Sequence, residues 1–199
     1  MGLGWNLMEA RTVAILAVAG TLGFYLARGL RPVKLGPQRG QGPSYAPNVK
    51  APGYYFSWAE LTRTDTGLPN EPGRIAAGHL VDLTAYVLDP LRAYLGQPVI
   101  VSSGYRSPEV NAAVGSTNDA SQHTSGFAAD IRTGGMTGEE LARNLVDAGL
   151  PYDQLIWYSP SRGGHVHVSY VGNANRAQTL FASDAGGYTS AVPSYGDFA

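Results

Sequence analysis

The sequence predicts a mixed domain of separate helices and short strands, set behind an apolar N-terminal segment and a linker. Three observations carry this. Ser57-Trp58-Ala59-Glu60 and Thr137-Gly138-Glu139-Glu140 are Ser/Thr-x-x-Glu boxes of the kind that open helices. Short β-branched or alternating stretches recur at residues 98–102, 127–132, 154–158 and 165–170. Finally, 26 glycines and 13 prolines in 199 residues call for too many turns for a helical bundle, while a 44% hydrophobic content supports a core.

In chain order, residues 12–27 (TVAILAVAGTLGFYLA) form an uncharged run of sixteen between Arg11 and Arg28. A bilayer span needs roughly 20 residues, and extension to Leu30 with a snorkelling Arg28 approaches that length, so residues 1–28 read as a membrane anchor or signal segment. A cleaved signal fits less well, because Tyr25-Leu26-Ala27 is a poor small-residue cleavage site. Residues 29–53 are rich in Gly and Pro without apolar period, and read as a basic linker. Basic residues after the apolar run outnumber those before it, and the positive-inside rule, applied naively, would keep the C-terminal domain in the cytoplasm, which conflicts with a wall-degrading role for a resident cell protein.

The folded domain is placed at residues 54–175. After the first box, a longer helix with Pro72 in its first turn carries Ile75, Leu80, Leu83, Val87, Leu88, Leu91 and Leu95 on its apolar positions. Pro90 is expected to kink it and Gly96 to end it. His79 lies in this helix away from other ligand types and reads as structural or exposed. Residues 98–102 form a strand that turns through Ser103-Gly104-Tyr105-Arg106 into a helix capped by Ser107 with Pro108 at its first position. In residues 127–132, alternation puts Ala128, Asp130 and Arg132 on one face of a strand and Phe127, Ala129 and Ile131 on the other. The same period puts His165, His167 and Ser169 on one face of the last strand and its valines on the opposite one. Residues 176–199 read as a wrapping or partly disordered tail.

Charge narrows the function. The formal net charge of −1 is uneven: residues 28–50 carry five cations and no acid, whereas from residue 51 eight arginines face fourteen acids. So acidic a domain is a poor nucleic-acid binder. There is no cysteine, so any metal is held by His, Asp or Glu. Three of the four histidines fall in residues 121–130 and 165–170. His123 and Asp130, joined by a distant histidine, supply two imidazoles and a carboxylate, a donor set suited to a catalytic zinc with one position left for water.

SQHTSGFAAD (residues 121–130), SGYRS (103–107) and HVHVSY (165–170) together resemble the zinc D-Ala-D-Ala carboxypeptidase family of peptidoglycan peptidases. That family includes carboxypeptidases, vancomycin-resistance dipeptidases and phage endopeptidases, and shares its metal core with hedgehog signalling domains. The similarity covers about residues 55–175, YFSWAEL and VLDPLR included, and is closest to the branch found in phage and prophage wall hydrolases. It implies an α+β fold with helices packed on a small antiparallel sheet that carries the zinc site. It implies one zinc bound by His123, Asp130 and His167, with Ser121 and Arg106 lining the substrate site and His165 beside the metal. Several branches place a general-base Glu three residues before the last ligand, where this chain has Gly164. His165 is the natural substitute, and Asp153 the next.

The chemistry asks for little more. Zinc on two neutral imidazoles and one carboxylate polarises a scissile carbonyl and lowers the pKa of water toward about 7. An imidazole takes the proton and returns it to the leaving amine. Arg106 offers donors to a substrate carboxylate or to a developing oxyanion. The expected protein is a membrane-anchored zinc peptidase acting on the cell wall or periplasm, from a virion membrane or a host inner membrane. Peptidoglycan and the membrane are its partners, and virion components a further class of partner. The alternatives are a non-catalytic zinc module and a tethered structural protein of a virion or envelope.

Overall fold

The computed structural model describes residues 53–116, 118 and 120–191, with two short strands nearer the N-terminus. The chain divides into two units, Met1–Gln38 and Arg39–Ala199. In the first, β1 (Ile15–Val18) and β2 (Thr21–Phe24) pair antiparallel. These eight residues are the described part of the segment expected to form a membrane helix, and they are strands; the rest of residues 1–28 lies outside the described residues. Among the described residues, no helix is long and apolar enough to cross a membrane. The expected linker lies outside them too, apart from Gly53.

In the second unit, Asp89 ties down the start of the domain by accepting hydrogen bonds from the backbone N–H groups of Tyr54 and Tyr55. Helix α1 (Trp58–Leu61) opens on the expected capping box. Ser57 Oγ accepts from Glu60 N–H, and the Glu60 carboxylate accepts from Ser57 N–H at 2.8 Å. Helices α2 (Arg74–Leu83) and α3 (Asp89–Leu95) are joined by a π-helical stretch, Thr84–Leu88. This stretch stands where a kink at Pro90 is expected. A proline ring crowds the carbonyl four residues back and has no N–H to give, and the wider turn ahead of it, with Asp89 N–H reaching Thr84 O, takes up the mismatch. Gly96 ends the helix in the left-handed conformation at φ 65°. Leu80, Leu83, Val87, Leu88 and Leu91 are buried as the period requires, whereas Ile75 is 75% exposed. Helix α4 (Pro108–Ala113) has its Ser107 cap on Val110 N–H, and α5 (Gly138–Asp147) repeats the capping box with Thr137 and Glu140.

Six strands form one sheet: β3 (Val99–Ser103), β4 (Ala128–Thr133), β5 (Gln154–Tyr158), β6 (Val166–Ser169), β7 (Gln178–Ala182) and β8 (Thr189–Ser190). Their order is β3-β4-β6-β5-β7-β8. The sheet is mixed, not the all-antiparallel one expected, because β5 and β7 run parallel. After β6 the chain passes beneath the start of β5 and adds β7 on its far side. The stretch expected as a tail therefore supplies two strands, of five and two residues, and residues 192–199 lie outside the described residues.

Ala129, Ile131, Leu155, Trp157, Val166 and Val168 face the helices in a single core with Leu80, Leu83, Leu141 and Leu145. The alternate residues face the other way, and Asp130 and Ile156 both stand opposite His167 on neighbouring strands. A bulge between Val101 and Ser103 adds one residue to β3 and puts Ser103 opposite Asp130.

Candidate metal centre

His123 sits in a tight turn, not on a strand. Thr124 N–H donates to Ser121 O at 3.0 Å, Phe127 N–H to Gln122 O at 2.9 Å and Gly126 N–H to His123 O at 3.2 Å. Helix α2 clamps this turn. His79 stacks on Phe127 with ring centroids 3.8 Å apart, and its Nδ1 lies 2.7 Å from Ser125 O. His79 is thus the structural histidine expected. On the other side, Arg106 N–H donates to His123 O at 3.3 Å and His123 Nδ1 lies 2.7 Å from Gly104 O. A carbonyl only accepts, so Nδ1 carries the proton and Nε2 presents a lone pair.

That lone pair meets two others. His123 Nε2 is 3.1 Å from His167 Nδ1 and 3.3 Å from Asp130 Oδ1, and His167 Nδ1 is 3.1 Å from the same oxygen. All three residues are buried. Three electron-pair donors packed this closely away from water repel one another unless a cation lies among them. Zinc bonds of about 2.0–2.1 Å in a tetrahedron separate neighbouring ligand atoms by about 3.3–3.4 Å, which is the spacing found, to within a few tenths of an ångström. The donor set fits zinc, and these are the three residues that could hold a metal ion among the described residues.

The ionisation states agree with this. Burial works against the Asp130 carboxylate, but the neighbouring His123 and His167 outweigh it and hold its pKa well below the usual range. Burial pushes His167 down, against the pull of Asp130, toward the neutral ring that ligates. The second Asp130 oxygen accepts from Arg106 Nη2 at 2.6 Å, while Arg106 Nε donates to Ser103 Oγ at 2.8 Å.

Arg106 therefore orients a ligand, and it also borders a cleft of about 190 Å³ lined by Arg63, Thr64, Thr66, Ser102 and Ser103 among others. Ser121 is buried, and its hydroxyl accepts from His123 N–H at 3.4 Å, so its contact in this structure is to the turn itself. His165 is half-buried and stacked on Tyr158, centroids 4.1 Å apart. Its ring feels the charges of Asp130, Arg132, His167 and Arg106, but burial is the largest effect and lowers its pKa. Burial raises that of the Tyr158 hydroxyl, which stays protonated.

Gly163 and Gly164 have φ of 99° and 58°. The turn into β6 is thus built from two left-handed residues, a conformation in which a glutamate at 164 is strained. Asp153, the reserve candidate for a base, is buried with both oxygens engaged by Arg176, and its pKa is lowered chiefly by those hydrogen bonds. Gln122 and Arg176 were not anticipated as part of the centre.

Two buried histidines and a buried aspartate converging on the face of the sheet away from the helices define a single-metal hydrolase. A family model described as Peptidase M15 matches residues 54–169, and the chain belongs to this family of zinc-dependent peptidases. It is a zinc metallopeptidase, and the family implies peptidoglycan as its substrate. A comparison with curated proteins returned no match.

Proposed function

We propose that the protein hydrolyses a peptide bond in the stem peptides or cross-links of peptidoglycan, with His165 as general base and acid. The observation that carries this reading is the convergence of His123, Asp130 and His167, joined through the Arg106–Asp130 ion pair to a cleft that Arg106 and Arg63 help line. Zinc, when bound by these three residues, supplies a Lewis acid at the scissile carbonyl and acidifies water.

The remaining work falls to the chain. His165 lies two residues from His167 along the strand direction, about 6 to 7 Å away. As a neutral ring it accepts the proton of the attacking water while the oxygen adds to the carbonyl carbon. It then returns that proton to the departing nitrogen as the C–N bond breaks. Arg106 pairs with one Asp130 oxygen and leaves the other turned toward the histidines, and its guanidinium stands beside the cleft to receive a carboxylate or the developing oxyanion.

Digestion of purified peptidoglycan by the full-length chain, with and without chelator, tests the reading. Mass spectrometry should show chelator-sensitive cleavage. Loss of one terminal residue marks a carboxypeptidase, and release of internal fragments an endopeptidase. No cleavage by zinc-loaded protein refutes the proposal.

A further inference from the structure

Behind His167, three polar side chains with no common sequence pattern run in line to the surface. His167 Nε2 lies 3.4 Å from Gln122 Oε1, at the long end of hydrogen-bond range. Gln122 Nε2 donates to Asp153 Oδ2 at 2.7 Å. Arg176 donates to the same oxygen through Nη2 at 2.6 Å, and to Oδ1 through Nε at 2.8 Å and its backbone N–H at 3.0 Å. The inner carboxylate side chain is 3% exposed and the outer guanidinium 55%.

The direction of each bond follows from the one outside it. A carboxylate ringed by donors only accepts, so Gln122 must turn its NH₂ toward Asp153 and its carbonyl toward His167. That carbonyl also only accepts. The His167 proton is thereby kept on Nε2, leaving Nδ1 as the atom that faces His123 and Asp130.

We infer that Gln122, Asp153 and Arg176 are positioning residues that fix the tautomer and ring orientation of His167 and so set the affinity of the site for zinc. This rests on the reading that His167 ligates through Nδ1. Partners of this kind, behind a metal-binding histidine, are worth about 10–100-fold in metal affinity.

The topology explains how the last member arrives. Parallel pairing sets Gln154 opposite Gln178, so the residues just before β5 and β7 meet at one end of the sheet. Arg176 lies beyond residue 169, where the family match ends. The segment after the matched region therefore reaches the metal centre through Asp153.

The side chains can be tested apart from the backbone. Asp153 N–H donates to Ser169 O, and Gln178 N–H to Asp153 O, so the strand ends are pinned without the carboxylate. Among the described residues, the Gln122 amide bonds to His167 and Asp153. Gln122→Met keeps its length and removes both bonds.

The test measures zinc affinity of the full-length chain by competition with a chromogenic chelator, alongside thermal unfolding in EDTA. Gln122→Met should bind zinc about 10–100-fold more weakly with its unfolding temperature in EDTA unchanged. Arg176→Met should weaken binding in the same direction, Arg176→Lys less so, and the double variant should lose no more than the worse single one. In long-range ¹H–¹⁵N spectra of the metal-free chain, the His167 ring should carry its proton on Nε2 in the wild type and lose that preference in Gln122→Met.

His167→Ala separates the two layers. If it fails to bind zinc while Gln122→Met binds like the wild type and keeps the Nε2 tautomer, the relay is overturned and the ligand stands. If His167→Ala itself binds zinc normally, the ligand assignment fails and the relay with it.

Discussion

Gly126 closes the turn that presents His123, and replacing it with alanine probes how firmly that turn is held. Its φ is +75°, and a Cβ built there stands 2.3 Å from Ala76 O, 2.9 Å from the carbonyl carbon and 3.1 Å from Cα. The first distance is 0.7 Å inside the 3.0 Å below which something must shift. Two costs add. Left-handed backbone costs an alanine about 1–2 kcal/mol. The overlap is with main chain on both sides, so no flexible end swings aside, and forcing α2 and the turn apart costs about 1–3 kcal/mol.

The sum, about 2–5 kcal/mol, lowers the unfolding temperature by roughly 4–20 °C for a chain of this size. Gly115→Ala is the matched control, since its φ is +79° and nothing lies within 4 Å of the built Cβ. It should show the backbone cost alone. Calorimetry of the three proteins in chelator, with a zinc titration of each, separates the contributions. Because the displaced turn carries His123, Gly126→Ala should also bind zinc more weakly, and Gly115→Ala should not. Equal melting of the two variants would refute the claim that the contact with α2 holds the ligand in place.

His165→Ala should keep zinc and fold while losing on the order of 10²-fold in turnover, measured as release of products from peptidoglycan at saturating zinc; an unchanged rate puts the base elsewhere. Ser107→Ala removes the cap on Val110 N–H and the bond to Pro69 O, and should cost about 1–2 kcal/mol by urea unfolding with turnover preserved. Asp153 has a folded pKa below its unfolded value of about 3.9, so its contribution is present above that pH and is lost as pH falls through the folded value. The stability gap between wild type and Asp153→Asn should accordingly narrow as the pH drops below about 4, and a gap that stays constant would contradict the pairing with Arg176.

What could be read from the chain beforehand was what local rules govern. Ser57, Ser107 and Thr137 cap helices because a hydroxyl three residues ahead of a backbone N–H does so in nearly any setting. Asp130 and His167 share a face because strand alternation leaves no other choice once Ile131, Val166 and Val168 are in the core. The relay was hidden because its members are 31 and 23 residues apart, and the crossover to β7 is what brings Arg176 to Asp153. Asp153 looked available as a base because nothing nearby in sequence indicates that Arg176 closes over it. The strand QTLFA follows a turn-rich stretch and shows little β-branched character, so its parallel pairing with β5 depends on tertiary context. The π-helical stretch was likewise invisible, since proline announces a disturbance without saying which turn will absorb it.

The bulge in β3 bears on how the molecule meets its own kind. β3 is an outer strand, VIVSS, without charge or proline, and with Ile100 53% exposed. A flat edge of that composition is a template on which another chain can add a strand. The extra residue at Ser102 interrupts the row of backbone groups after three residues, and β8 closes the opposite edge with only two. Neither edge is long enough to seed stacking between molecules. The same irregularity brings Ser103 opposite Asp130 and within reach of Arg106. A deletion that straightened β3 would thus lengthen a sticky edge and release a metal ligand in one step, linking aggregation to loss of activity.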